Sequence, residues 1–257
     1  MLYLMRTEWK KVRLPATAAL ILVTAAACIL SCTLYQNYTI FYDLDAWEVG
    51  TELYSFIFPL LVVLPLCWNL YYERKDHFLL YVLPRVPQGK YLAAKWTVHA
   101  LCAFLILFIP YVLSAVCVLY VKEPVSLYDP AALGTPFEHV FLNAYTQAPM
   151  LYAALLSSWK GLIGVLVMSF GFVLSMYVKN IFVILTGPFI YTVLENFILS
   201  VLRLEKYRLV VSFEPTSISN TAVNTMSYFA GPVILIIVIL MTSFFFSKIR
   251  KAAVVEI

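Results

Sequence analysis

The stretch WTVHALCAFLILFIPYVLSAVCVLYV, residues 96–121, is almost wholly apolar and contains no Asp, Glu, Lys or Arg. An α-helix needs about 20 mostly apolar residues to cross roughly 30 Å of bilayer hydrocarbon. Residues 96–121 exceed that length, so they predict a membrane-spanning helix rather than a helix in the core of a soluble protein.

Similar apolar runs recur along the 257-residue chain. The predicted spans are Pro15–Tyr35, Glu52–Tyr72, Trp96–Val121, Leu151–Val178, Ile181–Leu202 and Phe229–Ser247. The composition agrees, because 63% of residues are apolar, 12% are charged and the mean hydropathy is +0.87. A soluble domain averages about 45–50% apolar and about 25% charged residues. We therefore expect an all-α, polytopic membrane protein in which residues 15–257 form one domain of six transmembrane helices.

The basic residues predict how the chain is oriented. Thirteen of the 18 Lys and Arg residues precede the first span, lie between spans two and three or four and five, or follow the sixth. Cytoplasmic loops are enriched in Lys and Arg, so we expect both termini in the cytoplasm of a multi-pass cell-membrane protein. The two long outer segments, residues 122–150 and 203–228, are long enough to fold as caps or re-entrant hairpins.

Residues 1–14 carry a second membrane signal. Leu2, Met5, Trp9 and Val12 recur at helical spacing, and the basic residues fall elsewhere on the helical wheel. This pattern favours an amphipathic helix that lies in the cytoplasmic interface, near membrane lipid. The alternative is an ordinary basic flank that precedes the first span.

No motif for nucleotide hydrolysis, zinc proteolysis or a nucleophilic serine occurs in the chain. We therefore predict no catalytic residue, no metal site and no cofactor bound by this chain. Nucleic-acid binding is not expected, because anionic lipid can satisfy basic groups spread along a membrane face. All five cysteines fall within predicted spans without CxxC spacing, so they are interpreted as small packing residues.

Glu195 is the most unusual group inside a predicted span. A carboxylate at that depth is costly and marks either a functional site or a paired charge. Lys160 of the fourth span lies at a similar predicted depth. Two interpretations stay open: a structural Glu195–Lys160 pair or protonated glutamate, and a contact in a pathway for substrate or protons.

The segment ERKDHFLLYVLPRVPQGKYLAAK, residues 73–95, connects spans two and three on the predicted cytoplasmic side. Charged residues open it, a short apolar run of helical length follows, and Leu83-Pro84 ends that helix. Such an element suits the docking of a soluble partner. As composition alone, an interfacial turn without a partner fits equally well.

The order of these residues resembles the ATP-binding cassette type 2 exporter permeases. That family has an interfacial elbow helix, six spans, and an acidic-basic segment before a helix that ends in Leu-Pro, followed by basic residues and a lysine that enters the third span. Glu73-Arg74-Lys75, Phe78–Leu83, Pro84-Arg85 and Lys95 follow that order. Asp76-His77 departs from it, because many members have Gly-Thr there.

The resemblance implies that residues 73–95 act as a cytoplasmic coupling helix. The residues it assigns to ATPase coupling are Glu73, Arg74, Phe78, Leu79, Leu80, Pro84 and Arg85. It also implies a cytosolic ATPase subunit that binds ATP and Mg²⁺, a second permease that is identical or related, and a bacterial plasma membrane.

The expected function is therefore that of a permease subunit, not an enzyme, which forms the pathway for a hydrophobic or amphipathic substrate. Family members export lipids, drugs and antimicrobial peptides. One alternative is a non-transporting membrane sensor or assembly subunit of an ATPase complex. The other is an intramembrane enzyme that uses Glu195, His99 or Asn196 for acid–base chemistry.

Overall fold

A computed structural model of the chain describes residues 1–38, 40–122, 141–217 and 225–249. Within these ranges all regular structure is helical. The α-helices are α1 (Leu2–Thr33), α2 (Asp45–Leu66), α3 (Trp68–Lys75), α4 (Leu79–Val82), α5 (Gln88–Tyr120), α6 (Leu142–Gln147), α7 (Pro149–Tyr177), α8 (Ile181–Val201), α9 (Leu209–Phe213) and α10 (Thr225–Ile249). Short 3₁₀ turns occupy Leu34–Asn37, Glu205–Tyr207 and Pro215–Ser217.

Six helical stretches in the described residues are long and apolar enough to cross a membrane. They are Leu2–Asn37, Asp45–Lys75, Gln88–Tyr120, Pro149–Tyr177, Ile181–Val201 and Met226–Phe246. The predicted number and order of spans is therefore confirmed, and the six apolar helices indicate a multi-pass membrane protein.

The second, third and fourth spans form the centre of the bundle. Half or more of the positions in their apolar windows are buried, whereas about a fifth are buried in the first, fifth and sixth spans. α5 packs against α1 and α7, and α2 contacts α1, α5, α7 and α8. The outer helices thus present apolar side chains to lipid, and the central helices hold the polar groups described below.

Contacts between helix ends show which elements share one end of the bundle. Lys11 near the start of α1 lies 2.8 Å from Glu73 of α3, and the ring of Tyr177 at the end of α7 stacks on Phe246 near the end of α10. Arg74, which follows Glu73, donates a hydrogen bond to the carbonyl of Val178 at 2.9 Å, just past α7. The first turns of α1 and the last turns of α10 therefore lie at the same end of the bundle. We call this the N-terminal end of the bundle, and the opposite end the far end.

Residues 1–14 are not a separate element in the structure. α1 runs without a break from Leu2 to Thr33, so no change of secondary structure marks the expected boundary with the first span. Val12 is buried, whereas Leu2 and Trp9 of the predicted apolar face are exposed. The orientation of this segment relative to a membrane remains a prediction.

The outer segment 203–228 folds against the bundle in its described part. α9 contacts α2, α7, α8 and α10, and the Ser212 hydroxyl donates a hydrogen bond to the carbonyl of Ser227 at 2.7 Å. The described part of this segment therefore packs on the bundle, as either a cap or a re-entrant hairpin would. Residues 123–140 of the other long outer segment lie outside the described residues.

α1 and α2 approach each other closely at Gly50. A Cβ atom at this position would lie 2.5 Å from the backbone nitrogen of Ser31 and closer still to its Cα. Backbone atoms cannot move aside as a side chain can, so only glycine fits without separating the two helices.

We expect Gly50→Ala to lower the free energy of unfolding by at least about 1–3 kcal/mol, the usual cost of overpacking. Gly89→Ala is the matched control, because no atom lies within 4 Å of its added Cβ. The measurement is unfolding of the purified chain in mixed micelles with increasing SDS. Equal stabilities of the two variants would show that α1 and α2 are not in close contact.

Candidate functional site

The segment between the second and third spans forms a sharply bent connection at the N-terminal end of the bundle. α3 ends at Lys75, α4 is a single turn over Leu79–Val82, and α5 begins at Gln88. The helix is thus shorter than the run from Phe78 to Leu83 expected from the sequence. The backbone turns again at Leu83 and Pro84, where the sequence predicts the helix to end.

The bend after α3 depends on His77, which has a left-handed backbone with φ of 55°. The amide of Phe78 donates to the carbonyl of Glu73 at 3.0 Å, and the amide of His77 donates to Arg74 at 3.2 Å. These two bonds form the Schellman arrangement that satisfies the last carbonyls of a helix. The motif turns the chain away from the axis of α3 before α4 begins.

Glu73 anchors the start of this segment in an ion cluster whose members Glu8, Glu73 and Lys95 are buried and whose fourth member, Lys11, reaches the surface. Its carboxylate lies 2.5 Å from the ammonium of Lys95 and 2.8 Å from that of Lys11. Glu8 completes the cluster at 2.6 Å from Lys11 and 3.2 Å from Lys95, and the Tyr91 hydroxyl donates to Glu73 at 2.7 Å. The two carboxylates balance the two ammonium groups, so the cluster ties α1, α3 and α5 together without net charge.

Arg74 anchors the segment to a third neighbour, α7. Its guanidinium donates to the carbonyl of Ser175 at 2.7 Å and to that of Val178 at 2.9 Å. These are carbonyls at the end of α7 that lack a partner within the helix, and a cation there also opposes the negative end of the helix dipole.

Leu79 faces the protein interior and not the surface. It is buried together with Tyr91, and Val82 and Leu83 pack against this pair. Of the residues that the sequence assigned to ATPase coupling, Glu73, Arg74 and Leu79 therefore hold the segment in place.

The other predicted coupling residues form an exposed surface. Phe78 and Leu80 are 41% and 38% exposed, and the neighbouring Tyr81 is 75% exposed. Pro84 and Arg85 are exposed on the following turn. We call these five residues the docking surface.

A cavity of about 350 Å³ lies between the docking surface and the ion cluster. Its lining residues are Lys11, Asn69, Tyr72, Glu73, Asp76, Phe78 and Tyr81. The ammonium of Lys11 lies 4.9 Å from the centre of the Phe78 ring, so Phe78 joins the ion cluster to the exposed residues of α4.

Lys160 does not pair with Glu195, and the expected ion pair is corrected. Lys160 is wholly buried, and its ammonium lies 2.5 Å from the carboxylate of Glu214. The rings of Trp47, Tyr111 and Phe213 surround the ammonium at 5.0, 4.1 and 5.4 Å from their centroids. Sequence reasoning missed Glu214 because it lies in the connection between the last two spans, whose described residues 203–217 fold inward. The sequence signal that was present is a carboxylate directly after the apolar residues of α9.

Glu195 has a different partner. Both of its carboxylate oxygens accept from the backbone amide of Leu209 at 3.1 Å, at the start of α9. The adjacent Asn196 accepts from Arg208 at 3.1 Å. Glu195 therefore holds the described part of the outer segment 203–217 against α8, and its predicted role in a pathway for substrate or protons stays a prediction.

Glu8 is the second residue that sequence reasoning missed. It lies one helical turn before Val12 on the buried face of α1, although the basic residues around it suggested an interfacial position. The sequence signal was the spacing of four residues between Glu8 and Val12, which places both side chains on the same face of a helix.

The groups named for an intramembrane enzyme have separate surroundings. His99 is buried, with its Nδ1 2.7 Å from the carbonyl of Lys95 and its ring near Phe172, whereas Glu195 contacts α9. The contacts of the described residues thus do not bring these two groups to one site. Neither a known protein family, nor a curated protein, nor a solved structure matches this chain.

Proposed function

We propose that this chain is the membrane-spanning subunit of an ATP-driven exporter, of the kind that the ATP-binding cassette type 2 permeases represent. It forms the pathway for a hydrophobic or amphipathic substrate, such as a peptide, a drug or a lipid. A separate cytosolic subunit binds ATP and Mg²⁺ and docks on the docking surface. A second permease, identical or related, completes the membrane unit, and both termini face the cytoplasm of a bacterial cell.

The observation that carries this proposal is the division of residues 73–95 into an anchored side and an exposed side. Phe78, Leu80 and Tyr81 expose large apolar side chains next to the charged end of the bundle. Aromatic and apolar groups of this kind are typical centres of protein–protein interfaces. A lipid-facing role suits them less well, because Asp76 and Arg85 on either side are exposed charges.

The anchors give the docking surface a mechanical connection to the spans. A displacement of α4 acts on Glu73, which holds α1 through Lys11 and α5 through Lys95. Arg74 passes the same displacement to α7. Three of the six spans thus respond to one contact at the end of the bundle.

The energy that such coupling needs is modest. A partner shifts the balance between two arrangements of the helices only by the difference in its affinity for them. A change from 1:99 to 99:1 requires about 5.5 kcal/mol of differential affinity. Two ATPase subunits that close on ATP and bind one arrangement more tightly are a sufficient source.

We expect Leu80→Asp to abolish stimulation of the partner's ATP hydrolysis by this chain, and to reduce copurification at least about tenfold, since a loss of roughly 1.4 kcal/mol is already tenfold. The introduced carboxylate must be desolvated in an apolar interface. In the isolated chain Leu80 is 38% exposed, so we expect the fold of the variant to stay intact. The measurements are copurification in mild detergent and ATPase rate.

Leu79→Asp is the contrasting variant, because Leu79 is only 4% exposed. It should lower the free energy of unfolding of the chain itself, which Leu80→Asp should not. Unchanged copurification and ATPase stimulation in the Leu80→Asp variant would remove the docking assignment.

A further inference from the structure

The start of α1 carries three basic side chains that the ion cluster does not use. Glu8 is 1% exposed, and Lys11 bonds to it at 2.6 Å on the side of the helix that faces the bundle. Arg6 and Lys10 each lie two positions from Glu8, which is more than half a helical turn, so they are on the opposite side of α1. Both are exposed, as is Arg13.

Arg6, Lys10 and Arg13 form one row along α1, which we call the basic stripe. They are spaced by four and three residues, so they lie one above another on a single helix face. At 1.5 Å per residue the stripe extends over about 10 Å. The ion pairs formed between described residues do not include any of the three. Three charges of the same sign thus stand together without a carboxylate partner in the part of the chain that the structure describes.

The helix face that carries the basic stripe continues as an apolar surface. Leu14 follows Lys10 by one turn and Ile21 follows it by three, and these two side chains are 73% and 66% exposed. Both belong to the first candidate span, so they face acyl chains when the chain is in a membrane. At the other end of the stripe, Tyr3 lies two turns before Lys10 and is 78% exposed. Tyrosine is enriched at the level of the lipid headgroups.

We propose that the basic stripe binds the phosphate of an anionic phospholipid, such as phosphatidylglycerol, whose acyl chains lie along Leu14 and Ile21. In phosphatidylcholine the charge of the phosphate is balanced by the ammonium of the same headgroup, so the stripe discriminates between the two lipids. This site goes beyond an interfacial position for residues 1–14, because it names the class of lipid and leaves out Lys11. It does not rest on the proposed transport function.

A phospholipid suits the basic stripe better than an acidic protein does. Arg13 and Leu14 are neighbours in the chain, so a ligand of Arg13 lies directly beside the lipid that covers Leu14. A single phospholipid satisfies both surfaces, since its phosphate meets the cations and its acyl chains meet the apolar face. A soluble acidic protein reaches only the polar part and leaves this boundary unfilled.

The test compares the lipids that the purified full chain retains. The chain is incubated in mild detergent with equal amounts of phosphatidylglycerol and phosphatidylcholine and separated from free micelles, and the bound lipids are quantified by mass spectrometry. The unmodified chain should retain an excess of phosphatidylglycerol. Each Lys or Arg near an anionic headgroup strengthens the attraction about fivefold. The triple variant Arg6→Gln, Lys10→Gln, Arg13→Gln should therefore lower the preference at least about tenfold.

Three other exposed lysines at the same end of the bundle provide the matched control. The triple variant Lys75→Gln, Lys90→Gln, Lys179→Gln removes the same charge and should keep the preference for phosphatidylglycerol. Lys11→Gln is the converse variant. It should lower the free energy of unfolding through the loss of its ion pairs and should keep the lipid preference.

Salt provides a measurement that needs no variant, in case the stripe variant folds poorly. In about 1 M NaCl, where the Debye length is about 3 Å, the unmodified chain should lose most of its preference. The proposal is overturned if the unmodified chain shows no preference, if salt does not reduce it, or if the stripe and control variants lose it equally. A stripe variant that keeps the lipid preference but no longer copurifies with a nucleotide-binding protein would overturn it in favour of a protein partner.

Discussion

Lys160→Met is expected to lower the free energy of unfolding by about 3–5 kcal/mol, because removal of one partner of a buried ion pair leaves the other charge uncompensated. The charge left behind is Glu214, which is 1% exposed. The variant also loses the attraction between the ammonium and the rings of Trp47, Tyr111 and Phe213. SDS-induced unfolding of the purified chain in mixed micelles measures the difference.

The double variant Lys160→Met with Glu214→Gln separates the contribution of the ion pair to stability from that of side-chain packing. It should recover most of the lost stability, because neutral groups of similar volume often replace a buried ion pair at little cost. Lys90→Met is the control for the loss of a lysine charge at an exposed site. A single variant as stable as this control would show that Lys160 is solvated and not paired in the interior.

Glu73→Gln is expected to lower the free energy of unfolding by about 3 kcal/mol, at the lower end of the range for a broken buried pair. Lys95 is wholly buried and loses a carboxylate at 2.5 Å, but it keeps Glu8 at 3.2 Å. The variant should also weaken the hold on α4, so that proteolysis within residues 76–88 becomes faster.

Glu205→Gln provides the matched control for this change. Glu205 pairs with Arg208 at 3.0 Å, but its side chain is 51% exposed. Exposed pairs contribute about 0–1 kcal/mol, so this variant should stay close to the unmodified chain. If Glu73→Gln changed the free energy of unfolding as little as Glu205→Gln does, the ion cluster would not be what anchors residues 73–95 to the bundle.

The six spans could be predicted from the sequence because hydropathy is a local property. Residues 96–121 form most of α5, and each of the other apolar runs also overlaps a single long helical stretch. The ends differ where polar residues extend a helix beyond the apolar part, as in α1, which continues to Leu2.

The ion pairs could not be predicted in the same way, because partners are set by tertiary packing. Glu195 and Lys160 have similar predicted depths, yet residues 203–217, the described part of the connection after α8, fold inward and bring Glu214 to Lys160 instead. Depth along two helices does not determine which faces meet.

Residues 73–95 were partly predictable from the sequence. The position of this segment and its termination near Leu83-Pro84 follow from local sequence. Leu79 is buried and Leu80 is exposed because of the turn at His77 and the packing of Leu79 against Tyr91 of α5. A four-residue helix is too short for its hydrophobic periodicity to predict which side chains are buried.

Photo-crosslinking at Tyr81 tests the central claim most directly. A photoreactive phenylalanine analogue placed there, and in a control chain at Tyr120, samples two positions that are 75% and 74% exposed at opposite ends of the bundle. In native membranes, we predict that the Tyr81 probe forms an adduct with a nucleotide-binding protein and that the Tyr120 probe does not. Adducts with lipid alone at Tyr81, or the same nucleotide-binding adduct at both positions, would contradict the assignment of residues 73–95 as the contact with an ATPase.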